Sequence, residues 1–398
     1  MSDLRCDVLV VGAGPAGAAA AAGLARAGRD VLLVEAHAHP RPKACAEYAS
    51  PRIVEELALL GVPDDAWRPD AIALTGMRVI RGDDAVDIRY RDARGPRTAW
   101  GVERTRFDAT LAQHARSAGA RLMERTAFED AHWRGGVGGI GGRVVGATLR
   151  TAEGRRTVRC RWLIGADGAR SRVAQRIAVE WVPRQRRLGL VAHYTGVPGL
   201  TDHGEMHVAP GWYVGLAPLA GGRLNVGMAL PMDGDRRPAA ARFQAAIDGI
   251  PAVAERLRGS EQLTPIRGAS PIGHRVRRAA GRGWMLIGDA AGFIDPFTGE
   301  GIYRALRSAR AAAEALAPGD DDGASRRYRE SRRAAFAAKD ALTWLLQGML
   351  AAQPLMGHAL RRLADRPALA ERLGSALGDC RPASDALSPR FLAAVLWP

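Results

Sequence analysis

The feature that constrains this chain most is the stretch VLVVGAGPAGAAAAAGLARAGRDVLLVE at residues 8–35. The apolar run RCDVLVV at residues 5–11 predicts a strand, the alanine-rich run at 15–27 a helix, and DVLLVE at 30–35 a second strand. Strand, helix and strand in so short a span form a βαβ unit. Between the first strand and the helix, Gly12, Gly14 and Gly17 spell GxGxxG. Gly12 permits the tight turn, Gly14 lets the backbone approach a pyrophosphate, and Gly17 lets helix and strand pack closely. The helix N-terminus then faces the phosphates. Glu35 ends the second strand, where a carboxylate can accept both hydroxyls of an adenosine ribose. An isolated GxGxxG is a weak signal, but this full context specifies a dinucleotide site. An acid at this position disfavours a 2′-phosphate, which leaves FAD or NAD.

Two later motifs choose between them. WLIGADGARSRVAQRIAV (162–179) carries Gly165, Asp167, Gly168, Ser171 and Arg176. GWMLIGDAAGFIDPFTGEGIYRAL (283–306) puts Gly288 and Asp289 at the end of a predicted strand, and Pro296, Gly299 and Gly301 just before a helix predicted over 301–317. Asp289 suits a ribityl hydroxyl of an extended flavin. The helix N-terminus after Gly301 can stabilise negative charge on the N1–C2=O edge of a reduced isoalloxazine. Each motif alone also has a plain reading as a strand–loop–helix junction. In this order, after the βαβ unit, they point to FAD.

Elsewhere the pattern changes. A helix is expected over 51–61 with Ser50 as its N-cap, antiparallel strands over 72–100, and a helix over 105–119 ending on Gly119. The glycine-rich stretch 134–146 reads as a hairpin tip or surface loop, and 158–166 as a buried strand. LGLVAHYTG, GEMHVA, GWYVGLAPL and RLNVGMAL, between 186 and 230, predict a separate sheet that covers a substrate. Residues 236–258 and most of 325–378 read as helical. Within the latter, ALTWLLQGMLAAQPLMGHAL is apolar but broken by Gln and Pro; it predicts a packed helical pair, with a membrane-surface helix as the alternative.

With these motifs in hand, the chain resembles flavoproteins of the para-hydroxybenzoate hydroxylase-like fold, and within them the geranylgeranyl reductase family. The resemblance rests on GAGPAG at 12–17, KACAE at 43–47, VERTRFD at 102–108, GADG at 165–168 and GDAAGFIDPFTGEGI at 288–302. Aromatic hydroxylases of the superfamily carry a His after GDAA; this chain has Gly292. The resemblance implies an α/β fold: a Rossmann-like FAD-binding domain of the glutathione reductase type, an antiparallel substrate sheet and a C-terminal helical region. Residues 1–75, 101–180 and 275–325 would form the first, 76–100 and 181–274 the second, and 326–398 the third.

It also implies contacts, position by position. Ala16 and Glu35 would meet FAD at the phosphate turn and the ribose. Cys45, Ala46 and Tyr48 would lie along the flavin, and Arg104 would meet its ribityl or pyrophosphate portion. Ala127 would touch the adenine end through its backbone. Asp167 and Gly288 belong to the same set, and Asp289, Pro296, Gly299, Gly301 and Ile302 would close over the isoalloxazine. The family has glycine at the position of Tyr48. Its Y-x-W-x-F-P stretch is here Tyr213-Val-Gly215-Leu-Ala217-Pro218, so Gly and Ala replace two bulky aromatics and should reshape the substrate cavity. Cys45, Tyr213 and Lys43 are the candidate catalytic groups. Each has a plainer reading: an inert thiol, a core phenol, a solvated charge. His193, His207 and Trp212 are weighed as pocket residues against the same background.

Composition excludes several classes. With 57 basic and 42 acidic residues the formal charge is +15, but arginine is spread along the chain and no nucleic-acid motif accompanies it. Nucleic acid is therefore not expected as a partner. Four cysteines show neither CxxC nor disulfide spacing, and no His, Cys, Asp or Glu cluster has metal-ligand spacing. No signal peptide and no run long enough to cross a membrane is visible. The expected setting is cytoplasmic, at most peripheral to the inner membrane.

The reading is a non-covalent FAD oxidoreductase that reduces a C=C bond of a hydrophobic, isoprenoid- or polyene-like substrate. Electrons would come from NAD(P)H bound transiently or from a separate reductase. The alternatives are a monooxygenase or halogenase acting on an aromatic or polyketide-type intermediate, and an electron-relay flavoprotein.

Overall fold

The computed structural model describes residues 4–136, 141–177, 179–181, 187–317 and 321–397. β1 (Leu4–Val11), α1 (Pro15–Arg26) and β2 (Val31–Val34) form the expected βαβ unit. α2 (Arg104–Ser117) and β3 (Gly154–Gly165) follow, then four strands, β4 (Arg187–Thr195), β5 (His203–Ala209), β6 (Trp212–Leu219) and β7 (Arg223–Pro231). β8 (Trp284–Leu286) precedes the helices α3 (Gly301–Leu316), α4 (Asp321–Ala351), α5 (Gln353–Ala364), α6 (Pro367–Leu377) and α7 (Pro389–Leu396).

β1 sits between β2 and β3, parallel to both, with Val11 opposite Val34 on one side and Gly165 on the other. β8 pairs parallel with β3, Gly165 opposite Leu286. These strands are covered on both faces, which is why they read as unbroken apolar runs. α1 fits between its neighbours because it is almost all alanine; Ala18 to Ala22 are buried, and a Cβ on Gly23 would come within 3.1 Å of Ala313 in α3. Residues 127–134 and 143–151 extend the sheet as an antiparallel hairpin. The glycine-rich tip at 137–140 lies outside the described residues.

The second sheet has nine strands. β4, β7, β6 and β5 lie side by side and antiparallel; β5 then pairs with residues 76–81 in parallel. Side chains alternate along these strands. One face carries Leu190, Val214, Leu216, Val226 and Met228, which pack on helices 239–248 and 251–256. The other carries His193, Val191, Gly189 and Arg187 on β4, Asn225, Gly227 and Ala229 on β7, and Tyr213, Gly215 and Ala217 on β6. This inner face meets the Cys45–Glu47 segment and, through Tyr213 and Ala229, the cluster formed by α4 to α7.

Several sequence expectations are corrected. The helix expected over 51–61 is Ile53–Leu59 with Arg52 at its N-cap; the Ser50 hydroxyl donates to Asp379 at 3.3 Å instead. Ala127, expected only as a backbone contact, opens the strand Ala127–Arg134. The apolar stretch 341–360 is the helical pair: α4 ends at Ala351, α5 starts at Gln353, and Leu346, Met349, Leu350, Met356 and Leu360 are buried. Among the described residues, no helix is long and apolar enough to cross a membrane.

Candidate active site

The register of the parallel strands brings the three glycine motifs to one sheet edge. Gly12 N–H donates to Val34 C=O (2.8 Å), Ala166 N–H to Val11 C=O (2.8 Å) and Ile287 N–H to Gly165 C=O (2.9 Å). The turns 12–17, 166–168 and 288–292 therefore leave the carboxyl ends of adjacent strands together, where open α/β sheets bind ligands. Gly12 has φ +97°, and a Cβ on Gly17 would lie 1.7 Å from the Gly12 carbonyl oxygen. Only glycine allows this turn. A Cβ on Gly288 would lie 2.9 Å from that of Ala16, so the first and third motifs touch.

The turn can accept an anion. A Cβ on Gly14 would see Arg41 at 3.6 Å, Asp108 at 3.9 Å and Arg104 at 4.0 Å, and no closer neighbour. Arg104 is buried and held by Asp108 through Nε (2.7 Å) and Nη2 (2.8 Å). Burial alone would lower its pKa, but the Asp108 carboxylate outweighs this and raises it, so the charge is permanent. Arg41 bonds Glu35 at 3.1 Å and lies 3.8 Å from Asp108. Lys43 Nζ would be 3.2 Å from a Cβ on Gly168. Its side chain is open to the cleft, yet protein crowds the ammonium; that partial desolvation and the Arg104 charge lower its pKa, against the pull of Asp289. Glu35 is buried, with Oε2 accepting from Ala13 N–H (2.9 Å) and Oε1 from His37 N–H (3.1 Å). Asp289 is half-buried, and its carboxylate makes no hydrogen bond among the described residues.

This donor set fits FAD. It offers a carboxylate at the ribose position, an uncrowded glycine turn between two guanidinium groups at the pyrophosphate position, and a free carboxylate at the ribityl position. Asp167 does something different. Its buried carboxyl accepts from Ser171 Oγ (2.6 Å) and Val173 N–H (3.2 Å), which fixes the turn after the second motif; burial raises its pKa against those bonds. Ala127 is half-buried at the start of its strand, Pro296 half-buried, Gly301 the first residue of α3 and Ile302 buried.

The segment after β2 is anchored by a residue for which the sequence suggested no role. Glu47 is buried with φ +58°, a left-handed conformation uncommon outside glycine. Oε1 accepts from Arg104 N–H (2.8 Å), while Oε2 bonds His193 Nε2 (2.6 Å) and accepts from Asn225 Nδ2 (3.1 Å). Asn225 Nδ2 also reaches Cys45 C=O at 2.9 Å, and Glu47 N–H points at Cys45 Sγ at 3.4 Å. One carboxylate thus ties Cys45 and Ala46 to the second sheet. A Cβ on Gly227 would lie 3.5 Å from Ala46, so the segment rests on the small-residue part of the inner face.

The two tyrosines separate. Tyr48 is buried between Gly204 and Gly299, whose added Cβ atoms would come within 3.0 and 2.9 Å of its ring. Its hydroxyl donates to Gly76 C=O (3.1 Å) and then accepts from the Tyr90 hydroxyl at 2.7 Å. Tyr213 donates to Asp295 Oδ1 at 2.6 Å and meets Phe297 edge-on at 5.1 Å. Burial, then the Asp295 charge, raises its pKa well above the phenol range. His207 and Trp212 face the other side of the sheet: His207 bonds Glu205 at 2.8 Å, and Trp212 lies against Gly249. Of the weighed aromatics, the cleft side keeps His193 and Tyr213.

The FAD binding domain family profile matches residues 5–338. The chain belongs to this family. It is an FAD-dependent oxidoreductase of the geranylgeranyl reductase-like kind. It is 35% identical over 328 residues to the menaquinone reductase of Mycolicibacterium smegmatis, covering 79% of this chain and 77% of that one. It is 31% identical to digeranylgeranylglycerophospholipid reductase 1 of Methanopyrus kandleri, covering 82% and 86%. Among solved structures it superposes with TM-score 0.81 and 23% identity on a geranylgeranyl bacteriochlorophyll reductase-like protein of Thermoplasma acidophilum, covering 99% and 97%; at that identity the match speaks for the fold.

Proposed function

We propose that this oxidoreductase saturates a C=C bond in the prenyl chain of a hydrophobic substrate. Bound FAD, once reduced, supplies a hydride equivalent; a proton from the protein side completes the addition of two hydrogens. The observation that carries the reading is the inner face of the second sheet beside Cys45 and Ala46. Small residues stand there: Gly227, Ala217 and Ala229 are buried, while Gly215 is half-buried and a Cβ on it would meet nothing closer than Met206 at 3.6 Å. Such a face suits an extended hydrocarbon rather than a compact polar ring. The relatives at 31–35% identity, named for a menaquinone and a prenyl lipid, support a prenylated substrate.

Lys43, Arg41 and Arg104 would hold the cofactor phosphates, Glu35 the ribose and Asp289 the ribityl chain. Cys45, half-buried and fixed by Glu47, is the proposed proton donor; Tyr213, with its proton committed to Asp295, acts in positioning. NAD(P)H or a partner reductase would supply the electrons. Single-turnover mixing of reduced holoprotein with a prenylated quinone, under anaerobic conditions, tests this. Product that keeps two added hydrogens after any quinol has been reoxidised to quinone is expected, and Cys45→Ser should slow that step at unchanged flavin content. An oxygenated product that appears only in air would replace this reading with the monooxygenase.

A further inference from the structure

A narrow cavity opens between β4, loop 292–299 and α4, with Asp295 in its wall. Phe293, Ile294 and Trp344 give it apolar walls. Two donors line it without acceptors: Arg187 Nη1 and Gln347 Nε2 are buried and make no hydrogen bond of normal geometry. Gln347 is only 4% exposed, so its amide has no solvent to turn to. It stands near Asp295 and eases ionisation of that carboxyl through a weak, long hydrogen bond, while Nε2 has no partner at normal hydrogen-bond geometry. Arg187 is half-satisfied: Nε reaches Asp295 at 3.5 Å and its guanidinium lies over the Tyr213 ring at 5.9 Å. A buried donor without a partner costs about 1–3 kcal/mol, so a pair converging on one cavity calls for an acceptor.

We infer that this cavity receives a carbonyl oxygen on the polar ring of the prenylated substrate, held between Arg187 Nη1 and Gln347 Nε2. Size and charge decide the chemistry. The cavity has room for a group about the size of one water; one oxygen enters, and a tetrahedral phosphate does not. Asp295 balances the Arg187 charge, and the Arg275 guanidinium, also in the wall, is stacked over the Trp344 ring at 4.4 Å, whereas phosphate binding favours a guanidinium fork free to bind in bidentate geometry. A neutral acceptor on a flat ring suits one amide, one partly used guanidinium and the indole of Trp344. The ring itself then lies at the mouth, and the prenyl chain leads away from it. The inference rests on the prenyl-substrate reading for what is attached to the ring.

Isothermal titration of the oxidised, FAD-loaded protein tests it without turnover, using menadione as the ring probe and geranylgeranyl diphosphate as the phosphate probe. Gln347→Leu should weaken menadione about tenfold, the worth of one hydrogen bond, and Gln347→Glu more, because it presents a second acceptor. Arg187→Lys, which keeps the charge beside Asp295, should weaken it several-fold if the second N–H matters. Flavin content reports whether each variant folds. Menadione binding that is absent, or equal in all three variants and the parent, overturns the assignment and leaves the cavity to a water. Loss confined to the diphosphate overturns the carbonyl choice. If menadione responds as stated but no C=C bond is reduced by the parent enzyme, the reductase reading fails and the subsite stands.

Discussion

The phosphate turn and the inner face of the second sheet line the same cleft, but they are built from different material. At the turn, backbone does the work: a positive φ at Gly12 and a 1.7 Å clearance at Gly17 leave no latitude in residue type. On the sheet face, side chains from distant segments do it. Glu47 gathers His193 and Asn225 across 146 and 178 residues, and Asp295 gathers Tyr213 and Arg187. A backbone device has a sequence signature, because glycine spacing is local. A side-chain device assembled by topology has none. The cofactor end of the site is therefore constrained to one geometry, while the substrate end is free to change through single substitutions.

That contrast can be broken by substitution. Gly17→Val should have the largest effect, abolishing FAD retention, because its Cβ would collide with the Gly12 carbonyl; a yellow, monomeric Gly17→Val protein would show that the turn has latitude after all. Glu35→Ala should weaken FAD by about 10- to 100-fold, the range for hydrogen bonds to a charged group, measured by flavin release on dilution. At the substrate end, Glu47→Gln should leave FAD bound and lower the melting temperature, since His193 and Arg104 N–H lose a charged partner. It should also reduce turnover by displacing Cys45. Equal loss of flavin in Glu47→Gln and Glu35→Ala would mean that the two regions are one.

The smallest effect concerns the far wall. Lys339, one of two lysines in the chain, is buried between Glu300 (2.8 Å) and Asp379 (3.0 Å). Burial pushes Asp379 up to about 6, against the Lys339 charge, while Lys339 and Arg304 outweigh burial at Glu300 and lower its pKa. A carboxyl raised on folding adds stability below its ordinary range and loses it as pH rises through about 6. Asp379→Asn should therefore gain melting temperature relative to the parent between pH 5 and pH 7. A difference independent of pH would remove Asp379 from that linkage.

Much of the first region is legible in the amino-acid sequence. GAGPAG, GADG and GDAAG lie on consecutive parallel strands because unbroken apolar runs and glycine spacing both survive in one dimension. The second region was legible only as strands. Tyr213 was visible as a tyrosine, but not that it donates to Asp295. Glu47 stood inside the KACAE motif, yet its role depends on His193 and Asn225, which only the β4–β7 pairing places side by side. His207 and Trp212 illustrate the limit: their strands were correctly placed, but a sheet has two faces, and alternation alone does not say which one meets the cofactor.

The central claim is that electrons stored on the flavin end in a carbon–carbon bond. The direct measurement is the stoichiometry of one anaerobic turnover: moles of FAD reoxidised against moles of C=C bond saturated, read by absorbance and by product mass after any quinol has been reoxidised to quinone, with a prenylated quinone as substrate. The account predicts one bond saturated for each flavin reoxidised, with no oxygen consumed. Flavin that stays reduced until air is admitted, followed by a product heavier by oxygen, would contradict it.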